Sequence, residues 1–238
     1  MTMQQMGLLA PTPPKLPASI DLRCADVADV LASIEAESVD LVVADPPWDL
    51  YQMPGHDNPG KIYSLLTEEQ IGAHMTAAVQ TMRRGGRLAL WTCWPLLAEV
   101  LMAERLPPWL NVPGLVWKSG GSWVKVGRPT CGYHWRSASE PVLLGTRKGG
   151  AAGRALAILK SGSASAPEQH SRKPAPWMAE WCRAWVPPGG LVLDLYAGLG
   201  SVAEAVVLAG EGRRYIGAEI DPERHATALA MVRRAVAS

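Results

Sequence analysis

Residues 39–48 read Val39-Asp40-Leu41-Val42-Val43-Ala44-Asp45-Pro46-Pro47-Trp48. The first six form a nearly continuous apolar run, the signature of a strand buried on both faces. Strands of that kind sit in parallel sheets covered by helices on either side, which points to an α/β architecture. The run stops at Asp45-Pro46-Pro47, because proline has no N–H to give to a central ladder. A polar group at the carboxyl end of such a strand stands where open α/β sheets bind their ligands.

Outward from this strand the pattern alternates. Upstream, Ile20–Leu22 predicts a short strand and Val27–Glu35 a helix. Downstream, Thr67-Glu68-Glu69-Gln70 has the form of a capping box opening a helix that runs to about Arg83. Gly85-Gly86 is expected to end it, with a strand over Arg87–Trp91. A helix over 95–105 and strands near Gly114–Lys118 and Glu140–Thr146 follow. The stretch RKGGAAGRALAILKSGSASAPEQH, residues 147–170, is rich in Gly, Ala and Ser and reads as a mobile insertion. Regular structure resumes with a helix over Pro176–Trp185, a strand over Leu191–Leu195 and a helix over Ser201–Ala209. A strand over Arg214–Glu219 and a helix over Pro222–Val236 close the chain. The alternation predicts an α/β sandwich with a mostly parallel sheet.

The 238 residues suffice for one substantial domain, and 48% hydrophobic with 19% charged residues is an ordinary globular composition. Residues 1–17, with Pro11, Pro13, Pro14 and Pro17, read as a flexible leader rather than a secretory signal, and residues 18–238 as a single domain. No apolar run reaches the roughly 18 residues of a membrane span, so a cytoplasmic protein without membrane contact is expected. Cys24, Cys93, Cys131 and Cys182 stand far apart without a C-x-x-C pair, so mostly buried, reduced thiols and no metal are expected.

Two segments carry the chemistry. Leu193-Asp194-Leu195-Tyr196-Ala197-Gly198-Leu199-Gly200-Ser201 is a strand, a glycine-bearing turn and a helix start, suited to close approach by a ligand. Glu219 ends the next strand about twenty residues on, placed to bind ribose hydroxyls. Position 203 is alanine, so the G-x-G-x-x-G pattern is incomplete, although a dinucleotide site stays conceivable. Asp194 would repel a pyrophosphate and attract a cofactor bearing a sulfonium and an ammonium group. At Asp45-Pro46-Pro47-Trp48, a carboxylate and the Pro46 carbonyl could accept the two N–H bonds of an exocyclic amine and localise its lone pair. Trp48 offers a flat face for an extruded base.

These residues resemble the N6-adenine and N4-cytosine amino-methyltransferases in the permuted order of the beta group, where the catalytic motif precedes the cofactor motif. The resemblance covers most of residues 20–236. It implies a Rossmann-like, three-layer α/β/α fold, doubly wound on a mostly parallel seven-stranded sheet, with S-adenosyl-L-methionine as cofactor. Asp45, Pro46, Pro47 and Trp48 are then catalytic. Asp26 faces the adenine side of the cofactor, and Asp45 touches the cofactor too. Lys173, in the element HSRKPAPWMAEW before the cofactor strand, is expected to bind the cofactor. Asp194, Tyr196, Gly198, Gly200 and Ser201 form the methionine-binding loop, and Glu219 and Asp221 lie in the ribose segment YIGAEIDPERHATAL. Asp at position 45 is similar to the adenine type, since cytosine members usually carry Ser-Pro-Pro. Trp48 also occurs among RNA-adenine relatives, and Tyr196 stands where phenylalanine is usual.

Residues 111–175 hold ten Lys/Arg against Glu140 and Glu168 alone. Lys118, Lys125, Arg128, Arg136, Arg147 and Lys148 are the expected phosphate contacts, within a target-recognition insertion spanning about 119–170. Trp117, Trp123, Tyr133 and Trp135 are interleaved, with Trp117 expected in the core. The partner is nucleic acid, DNA favoured over RNA, with target choice limited or borrowed from a second subunit of a homodimer. Three other readings stay open: a dinucleotide oxidoreductase, a non-catalytic nucleic-acid-binding partner subunit, and a methyltransferase acting on cytosine N4 or on RNA adenine.

Overall fold

The computed structural model describes residues 15–48, 65–126, 138–148, 157–162 and 172–237. The elements run β1 (Ile20–Cys24), α1 (Val27–Ala32), β2 (Val39–Ala44), α2 (Glu68–Thr81), β3 (Met82–Trp91), α3 (Trp94–Met102) and β4 (Leu115–Val126). They continue β5 (Ser139–Arg147), β6 (Ile158–Gly162), α4 (Ala175–Trp185), β7 (Leu191–Asp194), α5 (Ser201–Ala209), β8 (Arg214–Glu219) and α6 (Pro222–Ala237).

The strands form one sheet in the order β1-β8-β7-β2-β3-β5-β4-β6. The first five are mutually parallel, β5 is antiparallel to both β3 and β4, and β6 runs parallel to β4. Every residue of β2 is buried, as its apolar run predicts. One face of the sheet packs on α4, α5 and α6 through residues such as Trp177, Val206 and Val232. The other packs on α1, α2 and α3 through Val30, Met75 and Leu96. The α/β/α sandwich is therefore present, with eight strands among the described residues rather than seven.

Three local expectations are corrected. Gly85-Gly86 does not separate α2 from β3: the strand begins at Met82, directly after the helix. Val39 pairs with Met82 and Leu41 with Arg87, so the glycines sit within a bulge whose extra residues are taken up against β2. Residues 147–170 are not wholly an insertion, because Ile158–Gly162 add an edge strand in register with Ser122–Val126. A short Ile-Leu run among Gly, Ala and Ser was enough to satisfy the open edge of β4. Trp117 is half-buried rather than in the core, and its indole N–H is satisfied by the Leu110 carbonyl at 2.9 Å. Of the described cysteines, Cys182 is buried, Cys93 is half-buried and Cys24 is exposed; Cys131 lies outside the described residues. Among the described residues no helix is long and apolar enough to cross a membrane.

Asp40 ties the start of β2 to its neighbour. Its buried carboxylate accepts the Leu191 N–H at 2.8 Å at the head of β7, and the Arg83 guanidinium pairs with its other oxygen. Asp40→Ala leaves that N–H unpartnered inside the core. A loss of about 1–3 kcal/mol in unfolding free energy is expected, measured by urea denaturation.

Candidate active site

Because β2, β7, β8, β1 and β3 are parallel, their carboxyl ends lie together at one edge of the sheet. From β7 the chain proceeds outward to β8, and from β2 it proceeds the other way to β3. The winding reverses between β7 and β2, which opens a crevice there. Asp194 ends β7 in register with Val43, and Asp45 follows two residues later on the adjacent strand. Glu219 ends β8 on the other side of β7. Three carboxylates from three neighbouring strands, Asp45, Asp194 and Glu219, thus lie at one edge of the sheet.

Their surroundings differ. Asp194 is 1% exposed; its carboxylate accepts the Tyr215 hydroxyl at 3.0 Å and the backbone N–H of Tyr196. Burial, with Asp45 and Glu219 adding repulsion, pushes its pKa up to about 7 despite those two bonds. The Tyr215 hydroxyl reaches Asp194 by lying over Gly217, where any Cβ would come within 2.0 Å of it. Glu219 accepts the Gly198 N–H at 2.8 Å and the Asp221 N–H at 3.0 Å, so it braces the two loops flanking the crevice. Its carboxyl too is raised, chiefly by burial.

Asp45 instead has a cation. Lys173, two residues before α4, places its ammonium 2.7 Å from Asp45 Oδ2 and 3.1 Å from Glu140 Oε2. Burial raises the Asp45 carboxyl, and the Lys173 charge opposes that rise. Glu140 is also pushed up by burial, but the ammonium groups of Lys173 and Lys125 outweigh it and hold this carboxyl below its ordinary range.

The rest of the tetrapeptide is fixed locally. The Pro46 carbonyl accepts the Trp48 N–H at 2.8 Å, so one of its two lone pairs remains for a substrate. The Pro47 carbonyl accepts the Leu66 N–H at 3.2 Å. The Trp48 indole N–H donates to the Trp91 carbonyl at 3.2 Å, and its ring meets Trp109 edge-on at 5.1 Å. The ring is half-buried, so it is held rigidly at the rim.

Other expected residues take less direct places. Asp26 caps α1 by accepting the Ala28 N–H, and its charge bears on His74 and Tyr196. Tyr196 donates or accepts at His74 Nδ1, 2.9 Å away on α2. Asp221 uses Oδ1 to cap α6 through the N–H groups of Glu223 and Arg224. Gly200 (φ +79°) closes the loop against α6: a side chain there would meet Ala228 and Val232, so its bareness serves packing more than ligand approach. Gly198 (φ +54°) faces Arg224, and Ser201 is buried at the start of α5.

The expected phosphate contacts do not converge. Lys125 is buried and paired with Glu140, its ammonium lying over Trp123. Arg147 pairs with Glu37 and the Met82 carbonyl, at the edge of the sheet opposite Asp45, because β5 runs antiparallel to β3. Lys148 follows it there, and Lys118 is exposed on β4 towards that same edge. Arg128 and Arg136 lie outside the described residues. Sequence reasoning missed Glu140, His74 and Tyr215. Glu140 had a signal, since it is one of two acids among ten basic residues. Tyr215 and Gly217 share one face of β8 by their spacing of two, a weaker one.

A family model described as DNA methylase matches residues 110–230. No curated protein sequence matches the chain significantly. Among solved structures, the cytosine-N4-specific PvuII DNA methyltransferase is 15% identical with a TM-score of 0.66, covering 91% of this chain and 86% of its own. A Thermus thermophilus protein described as a DNA modification methylase, solved with S-adenosyl-L-methionine, is 22% identical with a TM-score of 0.64 over 91% and 95%. The M1.HpyAVI complex with the same cofactor is 18% identical with a TM-score of 0.62 over 88% and 98%. These likenesses establish the fold.

Asp194 makes stability depend on pH. Its folded pKa lies above the ordinary 3.8, so between 3.8 and about 7 the folded state holds a proton that the unfolded state releases. Stability contributed by this group therefore falls as pH rises through that window. Asp194→Asn is expected to remove that part of the slope, read from denaturation midpoints of wild type and variant at pH 5 and pH 8.

Proposed function

This chain belongs to the DNA methylase family, and from that premise we propose that it transfers a methyl group from S-adenosyl-L-methionine to the exocyclic N6 of a flipped-out adenine in DNA. The observation that carries the reading is the position of Asp45. It leaves the most buried strand at the reversal of winding, on the strand next to Asp194.

The residues fit the cofactor. Asp194 is buried, pushed towards neutrality and flanked by like charges, so a sulfonium or ammonium group placed beside it would relieve the repulsion. A pyrophosphate would aggravate it, which argues against a dinucleotide. Glu219, held between the Gly198 and Asp221 backbones, keeps lone pairs for ribose hydroxyls. S-adenosyl-L-methionine supplies an activated methyl group on a leaving sulfur.

The chain's own task is the amine. An adenine N6 lone pair is delocalised into the ring and is a poor nucleophile. Asp45 accepts one N–H and the Pro46 carbonyl the other, which turns the lone pair out of conjugation and aims it. Trp48, with its indole N–H tethered to Trp91, gives the extruded base a fixed surface to stack on. Those contacts offset the cost of unstacking the base, roughly a few kcal/mol. Asp rather than Ser at position 45 favours adenine over cytosine N4. Intact Asp45 and Asp194 favour catalysis over a non-catalytic partner role.

Incubation with labelled cofactor and DNA, followed by nucleoside digestion, is expected to yield N6-methyladenine. Asp45→Ala is expected to slow transfer by about 100-fold or more. N4-methylcytosine as product would reassign the target base, and transfer that survives the substitution would remove Asp45 from the chemistry.

A further inference from the structure

Glu140 has no part in the reaction derived above, yet it stands at the centre of a chain of charges that runs inward from Asp45, whose side chain is 35% exposed. Asp45 Oδ2 meets Lys173 Nζ at 2.7 Å, and the same ammonium meets Glu140 Oε2 at 3.1 Å. Glu140 Oε1 in turn pairs with Lys125. The lysine side chains are 12% and 6% exposed. Each ammonium also lies 5.0 Å from an indole centroid, Lys173 over Trp91 and Lys125 over Trp123. Those two rings pack edge to face at 6.4 Å and are themselves buried. Four alternating charges, drawn from β2, the approach to α4, β5 and β4, are thus seated on a rigid aromatic floor.

We propose that Lys173 and Glu140 are positioning residues for Asp45, with Lys125 as the anchor of the array. The inference rests on Asp45 being the amine acceptor. Lys173 takes Oδ2, so Oδ1 is the oxygen left to the substrate, and the carboxylate cannot swing. Glu140 divides the hold of Lys173 between two carboxylates, which keeps Asp45 from being neutralised as an acceptor. Lys125 offsets the second buried acid, since a lone Glu140 beside Asp45 would repel it. The sequence places Lys173 with the cofactor; the geometry aims its ammonium at Asp45.

The charged groups facing Asp45 are Lys173 before α4, Glu140 on β5, Lys125 on β4 and Asp194 on β7. The two lysines stabilise its ionised form, while burial and Glu140 oppose it. Removing Lys173 and removing Glu140 therefore move Asp45 in opposite directions, a signature that general structural damage does not give.

The test is single-turnover methyl transfer to DNA between pH 5 and pH 9, with cofactor affinity titrated in parallel. In Lys173→Met the acid limb of the rate profile is expected to rise by about one pH unit or more, with a plateau about tenfold lower or below. Lys173→Arg keeps the charge and is expected to return the limb to its wild-type position. Glu140→Gln is expected to move the limb down or out of range, while its plateau falls several-fold, because Lys173 then acts on Asp45 alone. Affinity for S-adenosyl-L-methionine is expected to change by less than about threefold in each. A Lys173→Met profile that overlays an active wild type overturns this inference while leaving the proposed reaction intact. So does a tenfold loss of cofactor affinity with an unmoved limb, which returns Lys173 to the cofactor pocket. If Lys173→Met does not fold, Glu140→Gln decides: an unmoved or raised limb overturns the array. A wild type that methylates no DNA removes the proposed reaction, and this inference with it.

Discussion

A carboxylate withdrawn from water must gain a cation or hydrogen bonds, or else surrender its charge. The parallel core of this sheet ends in three carboxylates, Asp194 and Glu219 buried and Asp45 partly so, and each receives a different answer. Asp45 is given a lysine, Glu219 two backbone N–H groups with the Arg224 guanidinium 4.0 Å away, and Asp194 a phenol and one N–H. The gradient has a direction. The carboxylate held by hydrogen bonds and raised to about 7 lies on the middle strand of the three, and the one whose Oδ2 meets a lysine lies at the end of β2.

The same constraint changes the meaning of the basic segment. Ten Lys/Arg against two acids over 111–175 reads as a surface prepared for phosphate. Of the six of these basic residues whose side chains are described, four are turned inward or paired. Lys125 and Lys173 serve a buried array, Arg172 pairs with Glu204 on α5, and Arg147 braces the far edge of the sheet. An excess of positive charge counted along the chain does not distinguish a cation that meets DNA from one that stabilises a carboxylate beside it. Only Lys118 and Lys148 among the six expected contacts are exposed within the described residues, and both lie away from Asp45.

The fold was legible because its signals are local. An unbroken apolar run marked β2, a capping box marked the start of α2 with both reciprocal bonds present, and α5 and β8 fall on the residues their patterns predict. What stayed hidden depends on contacts between distant segments. The bulge at Met82–Arg87 needs β2 beside it before two glycines can be read as something other than a turn. The strand at Ile158–Gly162 needs the free edge of β4. Of the site, Asp45, Asp194 and Glu219 were readable, since each ends a strand that periodicity had located. Glu140 was not, since β5 lies ninety-odd residues from β2 and reaches it only through Lys173.

The absence of phenylalanine from the chain has a structural consequence at the loop after β7. Where a phenyl ring would need only apolar neighbours, the half-buried Tyr196 carries a hydroxyl inward, and a hydroxyl taken from water requires a partner. His74 provides it from α2, and burial in turn lowers the basicity of that imidazole against the pull of Asp26. Tyr215 meets the same requirement on the other face by bonding Asp194, which in turn demands a glycine two residues on. Each tyrosine therefore links the end of β7 and its loop to a different element, Tyr196 to α2 and Tyr215 to β8. Trp48 adds a third link through Trp91 and Trp109. The loop that carries Asp194 and the strand end that carries Asp45 are thus cross-braced by polar aromatic tips, so a shift of either one must disturb hydrogen bonds on both faces of the sheet.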